Sequence, residues 1–158
     1  MRAGLFLSII FTSVFLSGCL PDSNAETPVP TVPFSVIASG DYPASGSFEN
    51  RKLEVFRNQA SLDASLATYA QLSQPYIVDF STSQAILINV GQRTSGGYSV
   101  KTDVVQEFSD HIKVFTTLTK PGNGCLTTLA LTYPFEIIEV QSTKEVIFEQ
   151  QLIMYNCN

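Results

Sequence analysis

The chain has 158 residues, a formal net charge of −5 and a sequence pI near 4.7. That length holds one domain with a real core and a short extra segment. The acidic balance argues against nucleic acid or an acidic membrane surface as partner, because phosphate-dominated binding needs clustered Lys and Arg, and no such cluster exists here.

At the N-terminus Met1-Arg2-Ala3-Gly4 supplies one positive charge, and Leu5 to Leu16 follows as an apolar stretch of 12 residues. It is too short to cross the hydrocarbon core as a helix and reads as the core of a signal peptide spanning residues 1–18. Leu16-Ser17-Gly18-Cys19 resembles the lipobox of bacterial lipoproteins, in which cleavage between Gly18 and Cys19 leaves a lipidated cysteine as the new N-terminus. That implies a membrane held through a lipid anchor, since two or more acyl chains are needed for durable attachment. It places the protein in the bacterial cell envelope, and Leu20 after Cys19 favours the outer membrane by resemblance to known sorting. Residues 19–33 carry Pro21, Pro28, Pro30 and Pro33 among polar residues and read as an extended tether, with the folded domain expected over 34–158.

Within that domain Phe34–Ala38 and Arg51–Phe56 read as strands separated by loop chemistry. One helix follows near residues 61–71, with Ser61 as N-cap and Leu62, Leu66, Tyr69 and Ala70 on one face. From there the pattern is all strand: Tyr76–Phe80, Ala85–Val90, Tyr98–Phe108, Ile112–Thr119, Leu126–Tyr133, Phe135–Val140 and Glu145–Tyr155. Ala85–Val90 is almost continuously apolar, as in a strand buried on both faces. The predicted fold is mainly β, an antiparallel sandwich or partly open barrel.

Between two of these strands lies Gly91-Gln92-Arg93-Thr94-Ser95-Gly96-Gly97-Tyr98-Ser99-Val100. Two successive glycines predict a hairpin whose tip offers Arg93, Thr94 and Ser95 to solvent, with Gly96, Gly97 and Tyr98 completing a partner-binding loop. Arg93 and Tyr98 are the expected anchors of binding, unless the glycines only turn the chain and Tyr98 only fills core. With Cys19 set aside, Cys125 and Cys157 form an even pair, and oxidising compartments favour a disulfide between them. The closed loop of about 33 residues is worth roughly 3–4 kcal/mol on the chain-entropy model; two free thiols are the other state open to them.

Val78-Asp79-Phe80, the Gly91–Val100 stretch with its Gly96-Gly97-Tyr98, Pro121-Gly122 and Tyr133-Pro134-Phe135 together resemble the C-terminal domain of the PrcB family, over about Tyr76 to Val140. Ser95 stands here between Thr94 and Gly96, where that family has Thr-Gly-Gly-Tyr. The resemblance implies an exported lipoprotein domain that binds and stabilises a partner protease without being an enzyme. The loop is also similar to the Thr-Gly-Tyr loop of chagasin-type peptidase inhibitors, which implies an inhibitor as the alternative.

Nothing in the chain singles out catalytic residues or a cofactor. No serine sits in a Gly-x-Ser-x-Gly elbow, and His111 reads as a solvated strand residue. Asp103, Glu107, Asp110 and His111 are an acidic cluster with a nearby imidazole, read as the polar end of a strand and its turn instead of a metal site. The two cysteines and one distant histidine do not make a zinc ligand set.

Overall fold

The structure, a computed structural model, describes residues 29–45 and 50–157. Gly18, Cys19 and the rest of the leader and anchor lie outside the described residues.

The centre of the fold is β3, Gln84–Asn89, buried at every position. Its alternate side chains serve two cores, as the apolar run predicts. It pairs antiparallel with β2, Lys52–Phe56, on one side and with β6, Phe135–Val140, on the other. β1, Phe34–Gly40, completes a four-stranded antiparallel sheet in the order β1-β6-β3-β2.

One face of this sheet carries Ala85, Leu87, Phe135 and Ile137, covered by Leu62, Leu66 and Tyr69 of α1, Gln59–Tyr69. The other face carries Ile86, Ile88, Ile138 and Val140. These meet Val100 and Val105 of β4, Ser99–Glu107, and Ile112, Val114 and Leu118 of β5, His111–Pro121. β7, Glu145–Tyr155, lies parallel to β5 and gives a second sheet ordered β4-β5-β7. The result is a β sandwich of two sheets with α1 laid on the outside of the larger one. Among the described residues eleven buried hydrophobics form the inter-sheet core and nine the helix-side core, so folding rests on two hydrophobic layers that share β3 and β6.

Four expectations are corrected. The N-cap is Asn58, whose side-chain oxygen accepts from the Ser61 N–H at 2.9 Å, so the helix begins ahead of Ser61 and ends at Tyr69. Tyr76–Phe80 is not a strand. Gln59 donates to the Tyr76 carbonyl at 2.8 Å and accepts from the Val78 N–H at 3.1 Å, doing for this segment what a neighbouring strand does elsewhere.

Leu126–Tyr133 is not a strand either. Both edges of β5 and of β6 are already taken, so it finds only an isolated bridge from Thr132 to Arg93. Lastly, Gly91–Tyr98 is not a hairpin. β3 has β2 and β6 as its neighbours, leaving no edge for β4, and the segment crosses from one sheet to the other.

The N-terminal side of the domain is ordered ahead of Phe34. The Val32 N–H donates to the Val105 carbonyl at 2.8 Å and the Glu107 N–H to the Pro30 carbonyl at 2.8 Å, so residues 30–32 run along the outer edge of β4. Val32 is buried in the inter-sheet core.

Candidate partner-binding surface

Gly91 turns the chain out of β3 with φ of 78°, and a Cβ there would stand 2.8 Å from the Arg51 backbone nitrogen. Only glycine meets both conditions. The turn is held by the Asn89 side chain, which accepts from the Gly91 N–H at 2.8 Å and donates to the Tyr69 hydroxyl at 2.9 Å.

Beyond the turn the crossing segment lies against a second loop, residues 122–134. Arg93 and Thr132 exchange both backbone hydrogen bonds, at 2.7 and 3.1 Å. The Gly96 N–H donates to the Thr128 carbonyl at 3.0 Å, and the Thr132 hydroxyl to the Ser95 carbonyl at 2.8 Å. The Tyr133 hydroxyl donates to the Gln92 side-chain oxygen at 3.2 Å. A Cβ on Gly96 would collide with the Thr128 hydroxyl, so a side chain there would force Thr128 to shift.

The expected anchors turn inward. The Arg93 guanidinium donates to the Val90 carbonyl at 2.6 Å and lies 5.7 Å from the centre of the Tyr98 ring. Both residues are half-buried, and Tyr98 packs against the inter-sheet core. Of the predicted tip only Thr94 is fully exposed, with Ser95 half-buried. Gly97, at φ 84°, sits beside the Tyr155 hydroxyl.

What the arrangement offers to solvent lies on the second loop. Leu126 and Leu129 have relative exposures of 103% and 94%, and Leu131 is exposed as well. Side chains this exposed on a loop are ordinarily polar or mobile. Here the loop is fixed at several points. The Cys125–Cys157 disulfide joins it to the residues after β7, the Gly122 N–H donates to the Tyr155 carbonyl at 2.8 Å, and the crossing segment braces its far end. Sequence pattern misses these leucines as a surface because the run has the composition of a strand. The signal it does carry is the three-residue step from Leu126 to Leu129, which breaks the two-residue alternation of a strand.

A shallow groove of about 570 Å3 lies on the β4-β5-β7 sheet, lined among others by Asp103, Phe115, Glu149 and Gln151. Its polar groups satisfy one another: the Thr117 hydroxyl donates to Asp103 at 2.5 Å, Gln151 donates to Thr117 at 2.8 Å, and Glu149 pairs with Lys113 at 2.8 Å. The acidic cluster does not converge. Glu107 pairs with Lys144 at 2.9 Å, while Asp110 faces His111 at 2.8 Å, and this contact holds the Asp110 carboxyl below the usual carboxylate range. His111 also stacks on Phe108, ring centres 4.6 Å apart. Among the described residues no three of His, Cys, Asp and Glu are grouped as a metal site.

These features define a β sandwich with a crossing loop locked against a disulfide-braced, leucine-bearing loop. Residues 85–141, running from β3 through the end of β6, match the family model described as PrcB C-terminal. Comparison with curated proteins and with solved structures gave no match.

Proposed function

We propose that this chain is an exported lipoprotein of the cell envelope, anchored through Cys19, that acts as a non-catalytic protein-binding subunit through the loop 122–133. The observation that carries the reading is a fixed apolar surface. Leu126 and Leu129 are fully exposed on backbone already ordered by Cys125–Cys157 and by the bridge to Arg93. Large apolar side chains presented on a preorganised loop suit a protein partner, because little conformational entropy remains to be lost on binding.

The PrcB C-terminal match supports a protease-associated partner, which this domain stabilises by binding its folded state. The inhibitor alternative needs the Gly-Tyr loop as a free wedge, and the packing of Tyr98 against the inter-sheet core favours the stabilising subunit over it.

The test is capture from solubilised cell envelopes with the full chain and with a Leu126→Ser/Leu129→Ser variant. The expected result is a protease captured by the parent and lost from the variant, with both melting at the same temperature. Equal capture by the two proteins rejects the leucine surface. Cys19→Ala in the full chain should move the protein out of the acylated membrane fraction, and a variant that stays acylated rejects the anchor.

A further inference from the structure

Sheet edges carry unpaired N–H and C=O groups, and folded proteins ordinarily guard them. Among the described residues, three of the four edges are guarded. The outer side of β4 is joined by residues 30–32, β1 is broken by a register shift between Val36 and Ala38, and β2 is five residues long with an ion pair from Lys52 to Glu54.

Among the described residues β7 has no covering segment, no register shift and no such shortness. It runs 11 residues in unbroken register along β5, contains no Pro, Lys or Arg, and among the described residues no strand pairs with its other side. Ile147, Leu152, Ile153 and Met154 along it are exposed.

The free groups can be assigned. The Glu149 carbonyl accepts from the Thr116 hydroxyl of β5, and the Tyr155 carbonyl accepts from the Gly122 N–H. Odd-numbered residues of β7 therefore direct their backbone toward β5. By alternation, Val146, Phe148, Gln150, Leu152 and Met154 direct theirs toward the open edge.

The order of side chains says what fits there. Glu145-Val146-Ile147-Phe148-Glu149-Gln150-Gln151-Leu152-Ile153-Met154-Tyr155 is an apolar triplet, a polar triplet and a second apolar triplet. We infer that the open edge of β7 pairs antiparallel with β7 of a second copy of this chain about a twofold axis at Gln150. In that register Phe148 faces Leu152, Val146 faces Met154 and Ile147 faces Ile153, so every exposed apolar residue of these two triplets meets another. Glu149 faces Gln151, so its carboxylate does not face a like charge. Gln150 faces itself, and the outward-directed residues pair with one another, exchanging both backbone bonds. Such an interface is isologous and closes as a dimer, giving a continuous sheet β4-β5-β7-β7-β5-β4. It lies outside the residues matched by the family model.

The experiment is sedimentation of the full chain in density-matched detergent over a range of concentrations, with three variants. The parent should show a concentration-dependent dimer. Ile147→Lys/Ile153→Lys places lysines opposite one another and should be monomeric, with the parent's melting temperature at concentrations where both are monomers. Gln151→Glu sets a carboxylate opposite Glu149 of the second copy, whereas Gln151→Lys sets an opposite charge there. The first should bind itself about tenfold more weakly than the second. A parent that is monomeric throughout overturns the proposal and leaves the edge to another chain or to residues 1–28. A dimer that survives the double lysine change, or equal dimerisation of the two Gln151 variants, overturns it too.

Discussion

The backbone N–H of Thr102 donates to a carboxylate oxygen of Glu136 at 2.6 Å, joining the two sheets through an acidic group buried between them. Thr102 stands beside the register shift in β4, and Glu136 sits in β6 on the inter-sheet face. Burial raises the Glu136 pKa above its ordinary 4.5, opposed by the contacts with Thr102 and by the charge of Lys101.

A carboxyl group whose pKa is raised on folding favours the folded state while protonated. Its contribution is fully present below about the unfolded value and is lost as pH rises through the folded one. Glu136→Gln keeps an oxygen that can accept from Thr102 and removes the charge. The variant should therefore melt above the parent at pH 7–8, with a gap that closes as pH falls below about 4.5. Each pH unit separating the unfolded and folded pKa widens that gap by about 1.4 kcal/mol. Thermal melts of both proteins from pH 3.5 to 8 test this, and a pH-independent gap refutes it. Asp79 and Asp110, whose carboxyls are both held below their ordinary range, titrate alike in the two proteins and drop out of the difference.

Gly97 and Gly124 have nearly the same φ, 84° and 88°, in different surroundings. A Cβ at Gly97 would stand 2.7 Å from the Tyr155 hydroxyl, whereas one at Gly124 meets nothing within 4 Å. Gly124→Ala should cost only the left-handed backbone penalty, about 1–2 kcal/mol. Gly97→Ala should cost more and displace Tyr155. Denaturant titrations that give equal losses would show that the Tyr155 ring simply swings away.

At the helix start, Asn58→Ala removes the cap and should destabilise the domain by about 1 kcal/mol, while Ser61→Ala should cost distinctly less. Ser61 supplies the backbone N–H received by Asn58, and its own hydroxyl only donates to the Asn58 carbonyl at 3.0 Å. Paired urea titrations distinguish the two, and a larger loss at Ser61 would contradict the assignment of the cap.

Cys157→Ser opens the covalent tie between loop 122–133 and the end of β7. The chain-entropy model puts the loss at roughly 3–4 kcal/mol for the 32-residue separation. The same variant should weaken partner capture, because the leucines then sit on a loop with more freedom to lose. A large fall in melting temperature with unchanged capture would separate the disulfide from binding.

The strands are legible where side-chain pattern and burial agree. Ala85–Val90 has no polar face in the sequence because β3 separates two cores, and the alternation in β4 and β5 reflects one face on the core and one in water. Strand partners are not legible. Leu126–Tyr133 has the composition of a strand, but both edges of β5 and of β6, the strands that flank it in the chain, are occupied, and composition cannot report occupancy. The same limit makes a hairpin of Gly91–Tyr98 in the sequence. The glycines do mark positions where the backbone must bend or approach closely, but the bend leads into the other sheet. Tyr76–Phe80 fails differently, since a single side chain, Gln59, satisfies backbone groups that the pattern assigns to a strand.

Arg93 shows what this changes for experiment. As an exposed tip residue its removal would affect binding and spare stability. In the structure its guanidinium closes the turn onto Val90 and covers the Tyr98 ring, while its backbone carries the bridge to Thr132. Arg93→Ala should therefore lower stability by about 1.5–3 kcal/mol, the range for hydrogen bonds to charged groups, with the half-exposed setting favouring the lower end. Arg93→Lys keeps the charge and loses the planar fork, and should recover only part of the loss. The effect on partner capture should be secondary, appearing only as the loop loosens and recovering at low temperature, whereas Leu126→Ser/Leu129→Ser should abolish capture at every temperature. Melting curves and capture measured on the same preparations decide the matter. An Arg93→Ala protein that melts like the parent but no longer captures the partner would return Arg93 to the binding surface.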